Sequence, residues 1–330
     1  MPWPRTIQPA VRSWISRHVW LDPPIVPSEV PLNPPRTPHP DDPVALHVRP
    51  QGLQARLRYS LLGQPQLWWG LRQASLLPAS LTPVRRHAFQ QVFSGRLLRH
   101  LGVRLDITGL EHAQGGPYVI VSLHEGIADP LCLLQLPLPM RFVARREIFG
   151  WPGIGPAITR LGHVSINPEH PLGGFRALWR GAERVLAGGE SLVVFPQGAI
   201  AGIQSDFHRG AFEVARRVHA PVLPVAITGT HRVWSHPFAP TLRYGQRVSL
   251  TVLPPISAQD THDTPPDVLR VRTRRAMKAA ALSPGQAPAR HFDPEQDGYW
   301  DGYQLHIDPE FPDLARQMAD HRAALLPHSV

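Results

Sequence analysis

Val119-Ile120-Val121-Ser122-Leu123-His124-Glu125-Gly126-Ile127-Ala128-Asp129-Pro130 is the stretch around which the rest of the chain can be read. Its first residues are a short β-branched apolar run, the pattern of a buried strand. A histidine follows, and five residues later an aspartate. Gly126 permits an unusual backbone between them. Pro130 disfavours a helical Asp129 but suits the first turn of a following helix. His124 and Asp129 are therefore expected on a strand-to-helix loop, where the carboxylate can fold back on the imidazole and fix its tautomer. That is the base-plus-orienter arrangement of acid–base catalysis. With 18 histidines in the chain, a surface histidine beside a helix-capping aspartate accounts for this stretch equally well.

Working outward, strands alternate with helices. Residues 83–101 read as a helix opened by Thr82-Pro83, with Phe89, Val92, Phe93, Leu97 and Leu101 as its apolar stripe and Gly102 as its stop. A strand at 103–107 precedes the central one. After it come a helix near 130–136, a strand at 141–144, a helical segment over 152–161 and a strand at 163–166. A helix over 172–187 carries Leu172, Phe175, Leu178, Trp179, Ala182, Val185 and Leu186 on one side. Strands at 191–195, 222–228 and 247–253, with a helix over 210–218, complete the run. The alternation predicts an α/β fold with a mostly parallel central sheet flanked by helices. Pro224, inside the strand at 222–228, places that strand at an edge or a bulge.

Length and composition bound the rest. A chain of 330 residues is long enough for one large α/β domain with extensions, read here as an N-terminal extension at 1–82, a central domain at 83–282 and a tail at 283–330. No apolar run reaches the roughly 18–20 residues of a membrane-spanning helix, and no secretory signal is evident. Cys132 is the only cysteine, which excludes an intrachain disulfide and a cysteine-based metal cluster. Neither a metal nor a cofactor is expected. The net charge of +9 implies an anionic partner. Proline pairs fill residues 1–50, where 8–20 reads as a short basic amphipathic helix suited to a membrane interface or to packing on the protein body. Leu61-Leu62, Leu67-Trp68-Trp69 and Leu76-Leu77, near Arg58 and Arg72, suit a lipid headgroup zone or an ordinary packed helical hairpin. The expectation is peripheral attachment to the cytoplasmic face of an anionic membrane. The arginines form no aromatic–basic module, so nucleic acid is not an expected partner. The helix at 264–282, rich in arginine, reads as a solvated face, a cap on the domain or a contact to lipid headgroups, and the tail has no functional reading.

A second constellation is Phe195-Pro196-Gln197-Gly198, a turn at the end of a buried strand. Gly198 lets backbone approach a ligand and can aim amide groups at developing negative charge. Phe207-His208-Arg209-Gly210 then opens a helix, a place where amides and an arginine favour phosphate. In order, His124-x4-Asp129, Gly162 to Ile166, Phe195-Pro196-x-Gly198, Arg209-Gly210 and Val222-Leu223-Pro224-Val225 resemble the glycerolipid acyltransferases, the 1-acyl-glycerol-3-phosphate acyltransferase superfamily. The linking segments 142–149 and 151–156 resemble it too, and the likeness spans about residues 90–256.

This resemblance implies that His124 deprotonates an acceptor hydroxyl, with Asp129 orienting it. The hydroxyl attacks an acyl thioester, acyl-CoA or acyl carrier protein, and the acceptor is a lysophospholipid, glycolipid or similar lipid. Arg145, Phe195, Pro196, Gln197, Gly198, Arg209 and Gly210 are the implied substrate-binding positions. Leu123 stands where the family has Asn, Asn167-Pro168 where it has Asp-Arg, and Gln197 and Ile200 where it has Glu and Arg. Two lost cationic partners, at ~1.5–3 kcal/mol per charged hydrogen bond, argue against a phosphorylated acceptor unless Arg145, Arg146, Arg160 or Arg209 compensates. The same His/Asp pair serves a thioester hydrolase with water as acceptor, and decay of the later motifs would leave a lipid-binding protein.

Overall fold

The computed structural model of the chain describes residues 59–167, 170–200, 202–234, 243–291 and 306–325. The amphipathic helix expected at 8–20 and Pro168 lie outside them. Seven strands are formed: β1 (Arg104–Thr108), β2 (Val119–Ser122), β3 (Met140–Arg145), β4 (Val164–Ile166), β5 (Ser191–Val194), β6 (Val222–Thr228) and β7 (Arg247–Val252). They make one sheet in the order β1-β7-β6-β2-β5-β3-β4. All neighbouring pairs are parallel except β6 with β7. The helices that accompany them are α1 (Gln64–Ser75), α2 (Pro83–His100), α3 (Asp129–Leu133), α4 (Ile154–Leu161), α5 (Pro171–Ala187), α6 (Gly210–Arg217), α7 (Ala258–Asp263), α8 (Pro266–Ala281) and α9 (Pro312–Leu325). This is the α/β architecture with a mostly parallel sheet expected from the alternation.

The three central strands are continuous apolar runs because both their faces are covered. Every residue of β2, β5 and β6 is buried, as strands between two helical layers require. Their parallel register sets Val121 beside Val194 and Pro224. The chain therefore leaves all three strands at the same end of the sheet, and the crevice outside the carboxyl ends of such strands is where α/β proteins place their sites.

Pro224 is not on an edge strand, since β6 lies between β2 and β7. It is tolerated because the ladder with β7 is interrupted there. Val222 bridges Ile256 and Val225 pairs with Val252. Leu223 and Pro224 thus face three residues, 253–255. The proline's missing N–H is needed by no partner at this bulge, and its carbonyl still accepts from Leu253 N (3.0 Å).

Two helical stripes differ from their sequence reading. Helix α2 starts as expected, with the Thr82 side chain accepting from Arg85 N. The face it buries, however, carries His87, Gln90 and Ser94 with Leu97 and Leu98, while Val92 is exposed. Two of these buried polar side chains find partners: His87 Nε2 bonds the Leu136 carbonyl (2.8 Å), and Gln135 Nε2 donates to Ser94 Oγ (2.7 Å), while His87 Nδ1 is left without one. On α5, Leu172 is 79% exposed although it lies on the apolar stripe. Helix α8 is not a uniformly solvated basic face, because Arg274 and Lys278 are buried. They pair with Asp308, at 3.0 and 2.5 Å, which brings the chain beyond 305 back onto the domain.

Candidate active site

His124 is two residues past the end of β2, and Asp129 is the first residue of α3. The loop between them turns back on itself. His124 Nδ1 and Asp129 Oδ2 are 2.7 Å apart, and the same oxygen accepts the backbone N–H groups of Glu125 (2.8 Å) and Gly126 (3.1 Å). The other carboxylate oxygen accepts from the Thr230 hydroxyl, which lies just beyond β6. Asp129 is fully buried, whereas the His124 side chain keeps 18% of its surface. An ionised carboxylate can only accept, so Nδ1 carries the proton and Nε2 presents its lone pair away from Asp129. Gly126 is required here for space rather than for a special φ. A Cβ on it would lie 2.7 Å from the Trp234 carbonyl oxygen and 2.9 Å from that of Thr230.

The Phe195-Pro196-Gln197-Gly198 turn leaves β5 next to this loop. The Phe195 ring stacks on the His124 imidazole, with centroids 4.1 Å apart and planes 18° from parallel. Phe142 lies 6.5 Å beyond Phe195, and the His163 ring meets Phe142 edge-on at 5.5 Å. The His124 imidazole is thus flanked by an aromatic wall. Burial, with Arg141 and Arg86 adding, holds the His163 pKa at about 3. It stays neutral and accepts the Phe142 N–H (3.0 Å). Pro196 is buried, and its carbonyl accepts from His208 N (2.7 Å).

Two roles expected for this turn are not available to the atoms proposed for them. The Gly198 N–H already donates to the Phe195 carbonyl (3.1 Å), so this amide is not a free oxyanion donor. Gly198 is nevertheless required as glycine, with φ +74° and the His208 ring 3.0 Å from where a Cβ would stand. Gln197 is buried, and both ends of its carboxamide are occupied. Oε1 accepts the His124 backbone N–H (2.7 Å), while Nε2 donates to the Gly202 carbonyl and the Ser205 hydroxyl, each at 2.5 Å. Its side chain supports the site from behind rather than facing substrate.

The arginines are spread out. Arg145 ends β3 and pairs with Glu147 at 3.4 Å. Arg209, exposed at the start of α6, pairs with Glu213 (3.6 Å) and Asp267 (3.5 Å), with Gly210 beside it. Arg160 donates to the Leu77 carbonyl. With Arg86 and Arg141 it lines a groove of about 580 Å³. Arg141 sets one side of that groove at the amino-terminal end of β3, whereas His124 follows the carboxyl end of β2. There Arg86 and Arg141 close on Glu190, at 2.8 and 2.5 Å.

Three site residues were missed in the sequence. Thr230 supplies the bond to the far oxygen of Asp129. Glu125, buried, accepts from Gly229 N (2.9 Å) and Arg290 N (2.8 Å) and lies 3.2 Å from His231 Nδ1. Ser205 receives the Gln197 amide. Thr230 and Glu125 have no local signal, since their partners lie more than 100 residues away, and Ser205 meets Gln197, eight residues off, only through the fold of the intervening loop. Among the described residues no group of three or more His, Cys, Asp or Glu side chains is arranged to hold a metal ion.

The parallel part of the sheet thus carries an oriented histidine at the carboxyl ends of its central strands. Comparison with known proteins gives the class. Residues 104–228 match the family model described as Acyltransferase. The 1-acyl-sn-glycerol-3-phosphate acyltransferase of Limnanthes alba is 26% identical over 202 residues, 58% of this chain and 69% of that one. The enzyme of that name from Pseudomonas aeruginosa is 26% identical over 256 residues, 74% of this chain and 97% of its own. The fold is shared with the crystal structure of the 1-acyl-sn-glycerophosphate acyltransferase PlsC from Thermotoga maritima, at a TM-score of 0.54 and 20% identity, covering 69% of this chain and 93% of that one. By this similarity the chain is an acyltransferase that resembles the glycerolipid acyltransferases.

Proposed function

We propose that this protein transfers a fatty acyl group from an acyl thioester, acyl-CoA or acyl carrier protein, to a hydroxyl of a lyso-lipid, with His124 as general base. His124 Nε2 takes the hydroxyl proton as the oxygen attacks the thioester carbonyl. The tetrahedral oxyanion collapses, the C–S bond breaks, and the imidazolium returns its proton to the departing thiolate. Asp129 holds the ring and stabilises its charged form. The observation that carries this reading is the 2.7 Å contact between His124 Nδ1 and an Asp129 whose remaining acceptor capacity is taken by two amides and a hydroxyl. A base so held needs no serine or cysteine nucleophile, and Cys132, in α3, is a buried small apolar group.

The acceptor follows from the arginines. The relatives above are named for a phosphorylated acceptor. In this chain, of the four arginines able to replace the lost cationic positions, Arg145 and Arg209 pair with carboxylates, Arg160 donates to the Leu77 carbonyl, and Arg146 is exposed just past β3. This favours a lyso-lipid with a neutral or glycosylated headgroup. The protein works at an anionic membrane surface as a peripheral protein on the cytoplasmic side. Leu62, Trp69 and Leu76, seven residues apart, are 52%, 61% and 70% exposed, and the chain is basic. Among the described residues no helix is long and apolar enough to cross a membrane.

The deciding experiment offers labelled acyl-CoA and acyl carrier protein, with a total lipid extract and with lysophosphatidic acid as separate acceptors, to wild type and His124→Ala. A labelled lipid that forms from the extract and disappears in the variant is expected, and its mass identifies the acceptor. Thioester loss without a labelled lipid would assign a hydrolase. Efficient acylation of lysophosphatidic acid would overturn the headgroup assignment.

A further inference from the structure

The described residues of the C-terminal part of the chain lie against the back of the site. Beyond α8, Arg290 N donates to buried Glu125, and the Arg290 carbonyl accepts from Ile203 N (2.8 Å). Farther on, the chain returns beside the 202–206 loop. Ile307 forms an antiparallel bridge with Ser205, Asp206 N donates to the His306 carbonyl, and Asp308 N donates to the Gln204 carbonyl, both at 2.7 Å. Lys278 Nζ fastens the junction, donating to the Ser205 carbonyl (2.9 Å) and to Asp308 (2.5 Å). On its inner side this loop connects directly to His124 through Gln197. Gln197 Nε2 holds Gly202 and Ser205, and Gln197 Oε1 holds the His124 N–H.

We propose that Gln197 is a positioning residue through which the C-terminal segment fixes the main chain of His124. The inference rests on His124 being the base. The chemistry requires an amide at this position. The Gly202 carbonyl can only accept and Gln197 Nε2 donates to it, while the His124 N–H can only donate and Oε1 receives it. A carboxylate can serve His124, and the Ser205 hydroxyl can rotate to donate to it. Against the Gly202 carbonyl it would set two acceptors in contact in a buried place, and the loop would open. The neutral residue that departs from the family pattern is therefore the one the strap needs. It also gives the C-terminal tail a role: it restrains the loop that restrains the histidine.

The test compares wild type, Gln197→Glu, Ser205→Ala and His124→Ala in the acyl-transfer assay, with hydrogen exchange followed by mass spectrometry over 198–206 and 306–311. Gln197→Glu is expected to lower kcat at least tenfold with KM for the thioester within twofold, and to raise exchange in 202–206. Its kcat relative to wild type rises as pH falls, because protonation restores a donor toward Gly202. Ser205→Ala shifts exchange and kcat the same way, less strongly, and serves if Gln197→Glu does not fold. Wild-type kcat and exchange in both variants, beside an inactive His124→Ala, would overturn the inference. So would an effect confined to KM, which marks a substrate contact. Full activity in His124→Ala would instead refute the assignment of the base, while the exchange data would still report on the strap.

Discussion

Asp129→Asn separates the orienting role of this residue from its structural one. Four donors converge on the carboxylate: His124 Nδ1–H, two backbone amides and the Thr230 hydroxyl. An asparagine with its oxygen at the Oδ2 position keeps the first three. Its amide then faces Thr230, whose hydroxyl can rotate and accept. The fold should therefore tolerate the change, with a stability difference within ~1 kcal/mol, about one ordinary hydrogen bond. What is lost is the negative charge opposite the imidazolium that forms as the acceptor hydroxyl is deprotonated. A charge-assisted hydrogen bond contributes ~1.5–3 kcal/mol, which corresponds to a fall in kcat of roughly 10- to 150-fold. KM for the thioester should be little changed, since Asp129 is fully buried and touches no substrate. Asp129→Ala differs because it leaves all four donors unsatisfied, at ~1–3 kcal/mol each for buried groups, and is expected to unfold. The assay is steady-state acyl transfer with thermal unfolding on the same preparations. A folded Asp129→Asn enzyme with wild-type kcat would refute the reasoning, because the carboxylate would then not be stabilising the charged base.

Two further outcomes are expected. His163 has a folded pKa of about 3 against an ordinary value of 6.5. The folded state therefore binds fewer protons, and the stability present above about pH 6.5 is lost as pH falls toward 3, at about 1.4 kcal/mol per unit. His87, also lowered by burial, acts in the same direction. His163→Asn, which can still accept the Phe142 N–H, should flatten this acid limb in urea titrations at pH 7 and 5; an unchanged slope would count against it. Paired Trp69→Glu and Leu76→Glu substitutions should weaken flotation with anionic liposomes at least tenfold while leaving thermal stability within ~0.5 kcal/mol, as expected for exposed sites. Undiminished flotation would place the membrane contact elsewhere.

The sequence by itself determined the strands and the pair that matters most. Val119–Ser122, Ser191–Val194 and Val222–Thr228 are legible because a strand buried on both faces must be apolar without interruption, a property of consecutive residues. His124 and Asp129 are legible because they are only five positions apart and the bonds from Asp129 to His124, Glu125 and Gly126 close within that loop. Tertiary structure decided what depends on which surface meets which. Leu172 carries the right pattern and is exposed, whereas His87, Gln90, Ser94, Arg274 and Lys278 carry the wrong one and are buried. Helical periodicity defines a face but not the layer it packs against, and a buried polar group is tolerated when a distant element supplies its partner. Thr230 reaches Asp129 across 101 residues, Gln197 reaches His124 across 73, and Arg290 reaches Glu125 across 165. No local pattern encodes such bonds, because their donors and acceptors come together only when the parallel sheet brings the ends of β2, β5 and β6 to one side and the C-terminal segment folds back over them.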